Sequence, residues 1–284
     1  METVGKQKLW SFLDHRGKAK ATTCTTVRKG DAQLVTSYFE LAKKVAELQF
    51  LNRDFVLVFR GQSGDYRNKS GNTSLKPSIM RANDATKVPT PNQLLRRYAR
   101  LADAEKSLMA HYRKGNTPGS KRLRRQMILR WSLLQHYEIC KTPLLDVSHS
   151  LRVAASFASD GGGAEGFVFV LGVPNLSGAV TASAEAGLQV VRLASVCPPS
   201  AVRPHIQEGY LLGEYPEMTG VDQKQNYKHY EIDFGRRLVA KFRFEPTPFW
   251  ASSSDFPRVP HDALYPTADP LLGLAETIKN DLGS

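Results

Sequence analysis

Polar side chains that could act together stand at three separate points of the chain, each beside an apolar, strand-like run. Arg60 follows the run FVLVF, Asp146 and Ser148 lie in LLDVSHS, and Gln207 and Glu208 lie in HIQEGYLL. An arginine at the end of a buried strand is either held by a carboxylate inside the fold or directed at an anionic ligand. The residue types alone leave both interpretations of Arg60 open.

Motifs for other chemistries are absent from the sequence. We find no Walker loop, no GxGxxG after a strand, no HExxH and no GxSxG. The glycine-rich GGGAEG at 161–166 joins a predicted helix to a strand, whereas a phosphate-binding loop joins a strand to a helix. His136 and His149 have no second histidine or cysteine at ligand spacing, and the three cysteines are far apart. The sequence therefore predicts structural thiols and no metal site.

The positive charge is concentrated in one part of the chain. The 284 residues carry a formal net charge of +12, and residues 81–130 hold 13 lysines and arginines against three acidic residues. Such a surface attracts polyanions by neutralising phosphates, although a solvated helix face is the plainer interpretation. A nucleic acid or an acidic protein is the predicted partner. The residues expected to contact this acceptor are Arg96, Arg97, Arg122, Arg124 and Arg125.

The lengths of the apolar segments bear on where the protein is located. No window approaches the roughly 18 to 20 consecutive apolar residues that a membrane span needs, and the first residues lack the apolar centre of a secretory signal. We therefore expect a soluble, cytoplasmic protein with no membrane partner. Residues 1–33 are polar and basic, and we expect this segment to be flexible in part.

Hydrophobic periodicity predicts mainly helices in the first half of the chain and mainly strands in the second. Helices are expected at about 92–113 and 120–137, at 151–160, and over the closing PLLGLAETIKNDL. Strands are expected in FVLVF, TPLLDVS, GFVFVLGV, LQVVRL, HIQEGYLL and RLVAKFRF. Because no repeat or linker is visible, we predict one α+β domain over 34–284 with a helical insertion at about 90–138.

Several of these segments resemble, in order, the FRG domain family, which is named for its Phe-Arg-Gly motif. The resemblance runs from about residue 55 to about residue 280. Its segments are FRGQ (59–62), LKPSIMR (75–81), LLQHYEICKTPLLDVSHSLRVAASFA (133–158), RPHIQEGYLL (203–212) and DALYPTADPLLGLAETI (262–278).

The third segment is the most specific, because the family shows the pattern Gln-His-Tyr-Gly-x-Pro-Thr-x-Leu-Leu-Asp-Trp-Thr there. The residues that match the pattern are Gln135, His136, Tyr137, Thr142, Leu144, Leu145 and Asp146. The chain departs from it at Glu138, which replaces the glycine, at Pro143, which follows the threonine, and at Val147 and Ser148, which replace Trp-Thr.

The resemblance implies a fold and a substrate. The FRG family has been proposed to share the fold of the ADP-ribosyltransferases that use NAD, with a split β-sheet core, so the resemblance implies NAD as the substrate. In the Arg-Ser-Glu class of these enzymes, an arginine, a serine or threonine and a glutamate stand on successive core strands, and Arg60, Ser148 and Glu208 match that order. The other residues expected to bind NAD are Gly61, Gln62, His136, Tyr137 and Asp146.

The resemblance also implies a reaction. Cleavage of the nicotinamide–ribose bond develops positive charge on the ribose, as in glycoside cleavage, and a carboxylate beside the sugar stabilises that charge. Glu208 is the expected catalytic residue, and Gln207 is its competitor because the family usually has glutamine at both positions. The expected activity is transfer of ADP-ribose to a nucleic acid or protein, or hydrolysis of NAD, by a toxin or anti-phage effector with an antitoxin or other regulatory partner.

Two other classes of function remain open. The chain could be a non-catalytic module that binds a nucleotide or nucleic acid, in which case NAD would bind without release of nicotinamide. It could also be a structural interaction domain in which Arg60 forms an internal ion pair with Asp146.

The sequence generates one mutational prediction. Glu208→Gln should abolish turnover of NAD while the fold survives, because loss of a preorganised electrostatic contact commonly lowers the rate by about 10²- to 10³-fold. Nicotinamide release by the purified variant measures this, and release at the parental rate would refute the role of Glu208.

Overall fold

Helices and strands alternate along the chain in an α+β arrangement, as the sequence predicts. The computed structural model describes residues 8–14, 17–115, 117–224 and 232–283. The strands are β1 (Leu9–Ser11), β2 (Lys20–Thr22), β3 (Gln33–Leu34), β4 (Val56–Gln62), β5 (Leu145–Ser148), β6 (Gly166–Val173), β7 (Val180–Ser183), β8 (Leu188–Arg192), β9 (Gly209–Glu214) and β10 (Leu238–Phe244). The helices are α1 (Cys24–Lys29), α2 (Tyr38–Leu51), α3 (Pro91–Lys114), α4 (Ser120–Arg125), α5 (Met127–His136), α6 (Leu151–Asp160), α7 (Leu193–Val196), α8 (Arg203–Ile206), α9 (Pro246–Ala251), α10 (His261–Leu264) and α11 (Leu271–Asp281).

The central sheet consists of two halves that meet at one point. Its eight strands follow the order β3-β10-β6-β4-β5-β9-β8-β7. Strands β4 and β6 pair from Val56 to Gln62, but β4 and β5 pair only between Phe59 and Ser148. Beyond that pair the ladder between the two halves is interrupted. The residues that follow Phe59 on β4 and precede Ser148 on β5 therefore face a gap in the sheet.

Helix α6 covers this junction at very short distance. Ser150 caps its first turn by accepting a hydrogen bond from the amide of Val153. A Cβ atom on Gly61 of β4 would lie 1.8 Å from the carbonyl oxygen of Ala154 and 2.7 Å from the amide nitrogen of Ala158. Both neighbours are backbone atoms, so they cannot turn aside. Glycine at position 61 and alanines on the facing helix allow the two backbones to approach.

Helices α3 to α5 form a layer beside the sheet. Thr90 and Gln93 form a capping box at the start of α3, and the inner face of α3 is buried along a helical stripe. The predicted helix at 120–137 is divided at Gln126, whose backbone is extended. Glu105 of α3 holds α5 by accepting hydrogen bonds from the Nε atom of Arg130 (2.5 Å) and the indole of Trp131 (2.7 Å). No helix within the described ranges is long and apolar enough to cross a membrane.

Much of the amino-terminal segment contributes elements to the fold. Residues 8–14 and 17–33 form β1, β2 and α1 and contribute core residues, whereas 1–7 and 15–16 lie outside the described residues. Arg28 of α1 makes a largely buried salt bridge of 2.6 Å with Asp233, which also accepts hydrogen bonds from Ser74 and the amide of Leu75. Composition alone does not reveal this salt bridge, because Asp233 lies far from Arg28 in sequence.

The contact between α6 and β4 yields a stability prediction. Gly61→Ala should lower the free energy of unfolding by about 3 kcal/mol or more, because the added methyl group overlaps backbone atoms and forces the helix away. Urea unfolding of parent and variant measures the difference. Gly273→Ala is the matched control, since a Cβ there meets open space within α11 and should not destabilise the protein. Parental stability of Gly61→Ala would contradict the packing argument.

Candidate functional site

A cavity of about 550 Å³ opens where the two halves of the sheet separate. Residues of β4, β5, α5 and α6 line it, together with α8 and the segment before β9. Its size lies within the usual range for small-molecule sites. Four basic and two acidic side chains line it. These are Arg60, Arg81, Lys141, Arg203, Glu138 and Asp146.

Arg60 spans the gap between the two halves of the sheet. Its Nη1 atom donates a 2.5 Å hydrogen bond to the backbone oxygen of Asp146, and its buried Nε atom has no partner among the described residues. Burial and the nearby charge of Arg81 lower the pKa of Arg60 to about 10, so the guanidinium stays charged at neutral pH. The ion pairs of the described residues do not include one between Arg60 and the Asp146 carboxylate. Arg60 thus brings a charge and spare donors to the cavity.

The carboxylate of Asp146 is held from the other side by Gln135. Gln135 donates from Nε2 to Oδ2 of Asp146 at 2.6 Å and accepts from the hydroxyls of Thr142 (2.5 Å) and Ser78 (3.3 Å). Burial raises the pKa of Asp146, and the charge of Arg60 opposes this shift. Asp146 does not cap α6, because Ser150 does so. Gln135 therefore orients Asp146 at the cavity wall.

His136 and Tyr137 diverge although they are neighbours in sequence. His136 lines the cavity, is 3% exposed, and has a buried Nε2 atom with no partner among the described residues. Burial and the charge of Arg203 lower the pKa of His136 to about 3, which leaves the ring neutral. Tyr137 lies outside the cavity lining and donates its hydroxyl to Asp269 at 2.9 Å. Its expected contact with NAD is therefore not supported, because its polar end is used in the core.

The segment with Gln207 and Glu208 is not the continuous strand that the sequence predicts. Helix α8 ends at Ile206, β9 begins at Gly209, and Glu208 lies between them with a positive φ of 43°. Ser148 donates its hydroxyl to the carbonyl of Gln207 at 2.8 Å and accepts from the amide of Ser150 at 3.0 Å. Its hydroxyl therefore fixes this turn.

The turn places the two candidate catalytic residues differently. Gln207 is buried, lines the cavity and donates from Nε2 to the carbonyl of Leu264 at 2.7 Å. Glu208 is exposed and is not among the residues that line the cavity. The predicted strand through HIQEGYLL begins only at Gly209, because α8 and a turn precede it. Glu208 therefore lies directly before β9, but its side chain is exposed.

A family model decides the relationship that these residues suggest. The model of the FRG domain matches residues 56–165, a span that runs from β4 through α6 and includes Arg60, His136, Asp146 and Ser148. Residues 56–165 thus match the FRG domain family. Searches of curated proteins and of solved structures find no match.

The FRG comparison explains an unusual backbone at Glu138. The family has glycine here, and Glu138 adopts a φ of 52°, a conformation that glycine reaches without strain. The Glu138 carboxylate lies at the cavity and accepts from Nη2 of Arg203 at 3.0 Å. Arg203 is 8% exposed, and its guanidinium carbon lies 4.9 Å from the ring centre of Tyr265.

Sequence reasoning did not select several residues of this cavity. Arg81 and Arg203 stand within LKPSIMR and RPHIQEGYLL, and Glu138 stands at the altered glycine of the FRG pattern. Their positions within segments that resemble the FRG family were the one sequence signal that could have identified them as cavity residues.

The FRGQ segment (59–62) contributes residues to two different cavities. Gly61 lines the cavity of about 550 Å³ with its backbone, beneath α6. Gln62 does not line this cavity; it lines a smaller one of about 320 Å³ on the other side of Arg60.

The five basic residues expected to contact an acceptor fall into two groups. Arg97 is half-buried and donates from Nη1 to the carbonyls of Ile79 (2.5 Å) and Arg81 (2.9 Å), so its guanidinium is engaged within the fold. The other four are exposed on α3 and α4, and their contact with an acceptor stays a prediction. They are Arg96, Arg122, Arg124 and Arg125.

The thiols and possible metal ligands add no further chemistry. Cys140 lines the cavity, but burial raises its pKa to about 12, so the thiol is protonated at neutral pH. Burial also raises the pKa of Cys24 and of Cys197. Within the part of the chain that the structure describes, no three His, Cys, Asp or Glu residues group closely enough to hold a metal ion.

The neutral state of His136 predicts a dependence of stability on pH. An unfolded histidine titrates near about 6.5, whereas His136 in the folded protein has a pKa of about 3. The unfolded state therefore binds more protons between these values, and the free energy of unfolding should fall as the pH drops from about 6.5. His136 contributes a slope of up to ~1.4 kcal/mol per pH unit.

Urea unfolding between about pH 6.5 and about pH 4 compares the parent with His136→Gln, which should show a shallower slope. Asp146 has a raised pKa and the opposite sign of slope, but it is present in both proteins and cancels in the comparison. His149→Gln controls for the loss of an exposed histidine. Equal slopes for the parent and His136→Gln would contradict the neutral, buried ring.

Proposed function

We propose that the FRG cavity binds NAD and that the protein is an ADP-ribosyltransferase or NAD hydrolase. The observation that carries the proposal is Arg60, a charged and partly buried guanidinium that is fixed by a backbone carbonyl and has a buried donor without a partner among the described residues. An anionic ligand would neutralise this charge and accept a hydrogen bond from the donor that has no partner. Phosphate suits it, because the planar guanidinium binds phosphate oxygens through paired hydrogen bonds.

The charge of the whole cavity supports a phosphate-bearing ligand. Arg81, Lys141 and Arg203 join Arg60 around the cavity, and only Glu138 and Asp146 oppose them. Glu138 is already paired with Arg203. The remaining positive charge favours a ligand with about two negative charges, as a diphosphate carries.

Two aromatic residues of the cavity lining support a nicotinamide riboside. Phe157 and Tyr265 present aromatic rings that meet edge to face, with their centres 5.8 Å apart. Neutral His136 has an Nε2 atom that lacks a partner within the described residues, and this atom can exchange a hydrogen bond with a hydroxyl or amide group. An apolar wall with a few polar groups is the usual setting for a base and its sugar.

The reaction would break the bond between the ribose C1′ atom and the nicotinamide nitrogen, which leaves with the bonding electrons. An acceptor oxygen or nitrogen then bonds to C1′ and releases its proton to the solvent, and water does so in hydrolysis. The transition state places positive charge on the ribose. Glu138 is the proposed carboxylate, because it lines the cavity with a largely exposed side chain whose partner, Arg203, also belongs to the cavity wall. Asp146 is held by Gln135, and Glu208 does not line the cavity.

The architecture agrees with this proposal. A sheet whose halves join at one residue pair, with the cavity at the opening, supports the ADP-ribosyltransferase-like fold that the resemblance implies. The exposed arginines of α3 and α4 suit a nucleic acid or acidic protein as acceptor. A cytoplasmic toxin or anti-phage role with a regulatory partner extends the same proposal.

A second candidate is a nucleotide-binding module without catalysis. Gln207 favours it, because this neutral side chain, and not Glu208, lines the cavity next to the Ser148 turn. Such a module binds NAD and releases no nicotinamide.

Nicotinamide release from NAD, with and without added RNA, DNA or cell lysate, distinguishes the candidates. For the enzyme we expect release by the parent and a decrease of about 10²- to 10³-fold in Glu138→Gln, because the transition state loses its carboxylate. Glu208→Gln is the matched control and should retain most of the parental rate, since its side chain does not line the cavity.

The other results separate the hypotheses. Loss of turnover in Glu208→Gln but not in Glu138→Gln would favour the assignment from the sequence over the one from the geometry. NAD binding by the parent with no release under any condition would establish the non-catalytic module. Failure of the parent to bind NAD would overturn both.

A further inference from the structure

A second cavity adjoins the first and shares two residues with it. It has a volume of about 320 Å³, and its lining includes Arg60 and Arg81, which also line the cavity of about 550 Å³. The two arginines therefore stand between two chambers. A ligand with an anionic centre and an arm on each side would occupy both.

The positions of the two guanidinium groups are fixed within the protein. Arg60 donates from Nη1 to the backbone oxygen of Asp146, and Arg81 donates from Nε to the backbone oxygen of Lys76 at 2.8 Å. The hydrogen bonds of the described residues use one nitrogen of each group. Two guanidinium groups with further donors form a suitable site for a diphosphate.

The lining of the second cavity is basic and has no acidic member. Lys76 and Lys87 line it beside the two arginines, and no aspartate or glutamate is among the described residues that do so. Lys87 also forms an exposed pair with Asp84 at 3.6 Å. An anion is therefore favoured here.

Two neutral residues indicate more than a phosphate. The buried Oε1 atom of Gln62 has no partner among the described residues and needs a donor, which a ribose hydroxyl or a base amino group supplies. Tyr66 lines the same cavity, and its side chain is half exposed, so its ring is accessible for stacking. Stacking on an aromatic ring binds any base. A nucleoside arm satisfies both residues.

We propose that the second cavity binds the adenosine arm of NAD, with the diphosphate between Arg60 and Arg81 and the nicotinamide riboside in the first cavity. This inference rests on the proposed function, and it adds the orientation of the substrate. It places the scissile bond near His136 and Glu138 and away from Tyr66.

Binding of substrate fragments to the full chain tests the orientation. Calorimetry with NAD, ADP-ribose, AMP and nicotinamide mononucleotide compares the parent with Tyr66→Ala. We expect the variant to bind NAD, ADP-ribose and AMP about 10-fold or more weakly, because the adenine loses its stacking partner. Binding of nicotinamide mononucleotide should stay at the parental value. Phe50→Ala is the matched control, since Phe50 is an exposed ring on α2 that lines neither cavity.

The remaining outcomes are distinct. Weakened binding of nicotinamide mononucleotide with unchanged AMP would overturn the proposal by reversing the orientation, and equal effects on all ligands, or none, would overturn it as well. If AMP bound in a Tyr66-dependent way but NAD did not bind, the second cavity would stand as a nucleotide site and the proposed function would fail. If the parent bound none of these ligands, both proposals would fail.

Discussion

The contact between α6 and β4 at Gly61 is the constraint on which the site depends. A side chain at this position would meet the backbone of α6 at 1.8 Å, so the helix lies against the strand only because residue 61 is glycine. This approach places Phe157 of α6 and Arg60 of β4 along the same cavity. The Phe-Arg-Gly motif thus combines a packing requirement with a charged group at the cavity. Its phenylalanine makes the last ladder contact between the two halves of the sheet, opposite Ser148.

The interrupted ladder leaves polar groups that the protein satisfies in different ways. Arg60 reaches across the gap to the backbone of Asp146, while Gln135 takes the carboxylate. Ser148 closes the adjoining turn. Buried polar atoms are nearly always paired in proteins, and those of Arg60 and His136 that lack partners among the described residues are therefore informative. Both groups lie at the cavity of about 550 Å³.

Local patterns predicted the elements well and the placement of side chains less well. The helix over Leu151–Asp160 was correct because its apolar spacing, its serine cap and the following glycines are all local signals. The strand through Gln207 and Glu208 was wrong, because apolar alternation does not reveal that α8 and a turn precede β9. The order within the described part of the amino-terminal segment also depends on a distant residue. The partner of Arg28 is Asp233, and composition contains no information about such a distant pair.

The sequence by itself determined the α+β class and the match to the FRG domain over residues 56–165, since these follow from periodicity and from motifs of adjacent residues. Only the tertiary structure decided which charges share a cavity. Arg203 and Glu138 are 65 residues apart and meet there, whereas Glu208 lies beside Gln207 and does not line it. The physical reason is that a side chain's direction depends on the backbone conformation of its own residue and on the packing of elements distant in sequence, and neither is encoded in a local pattern.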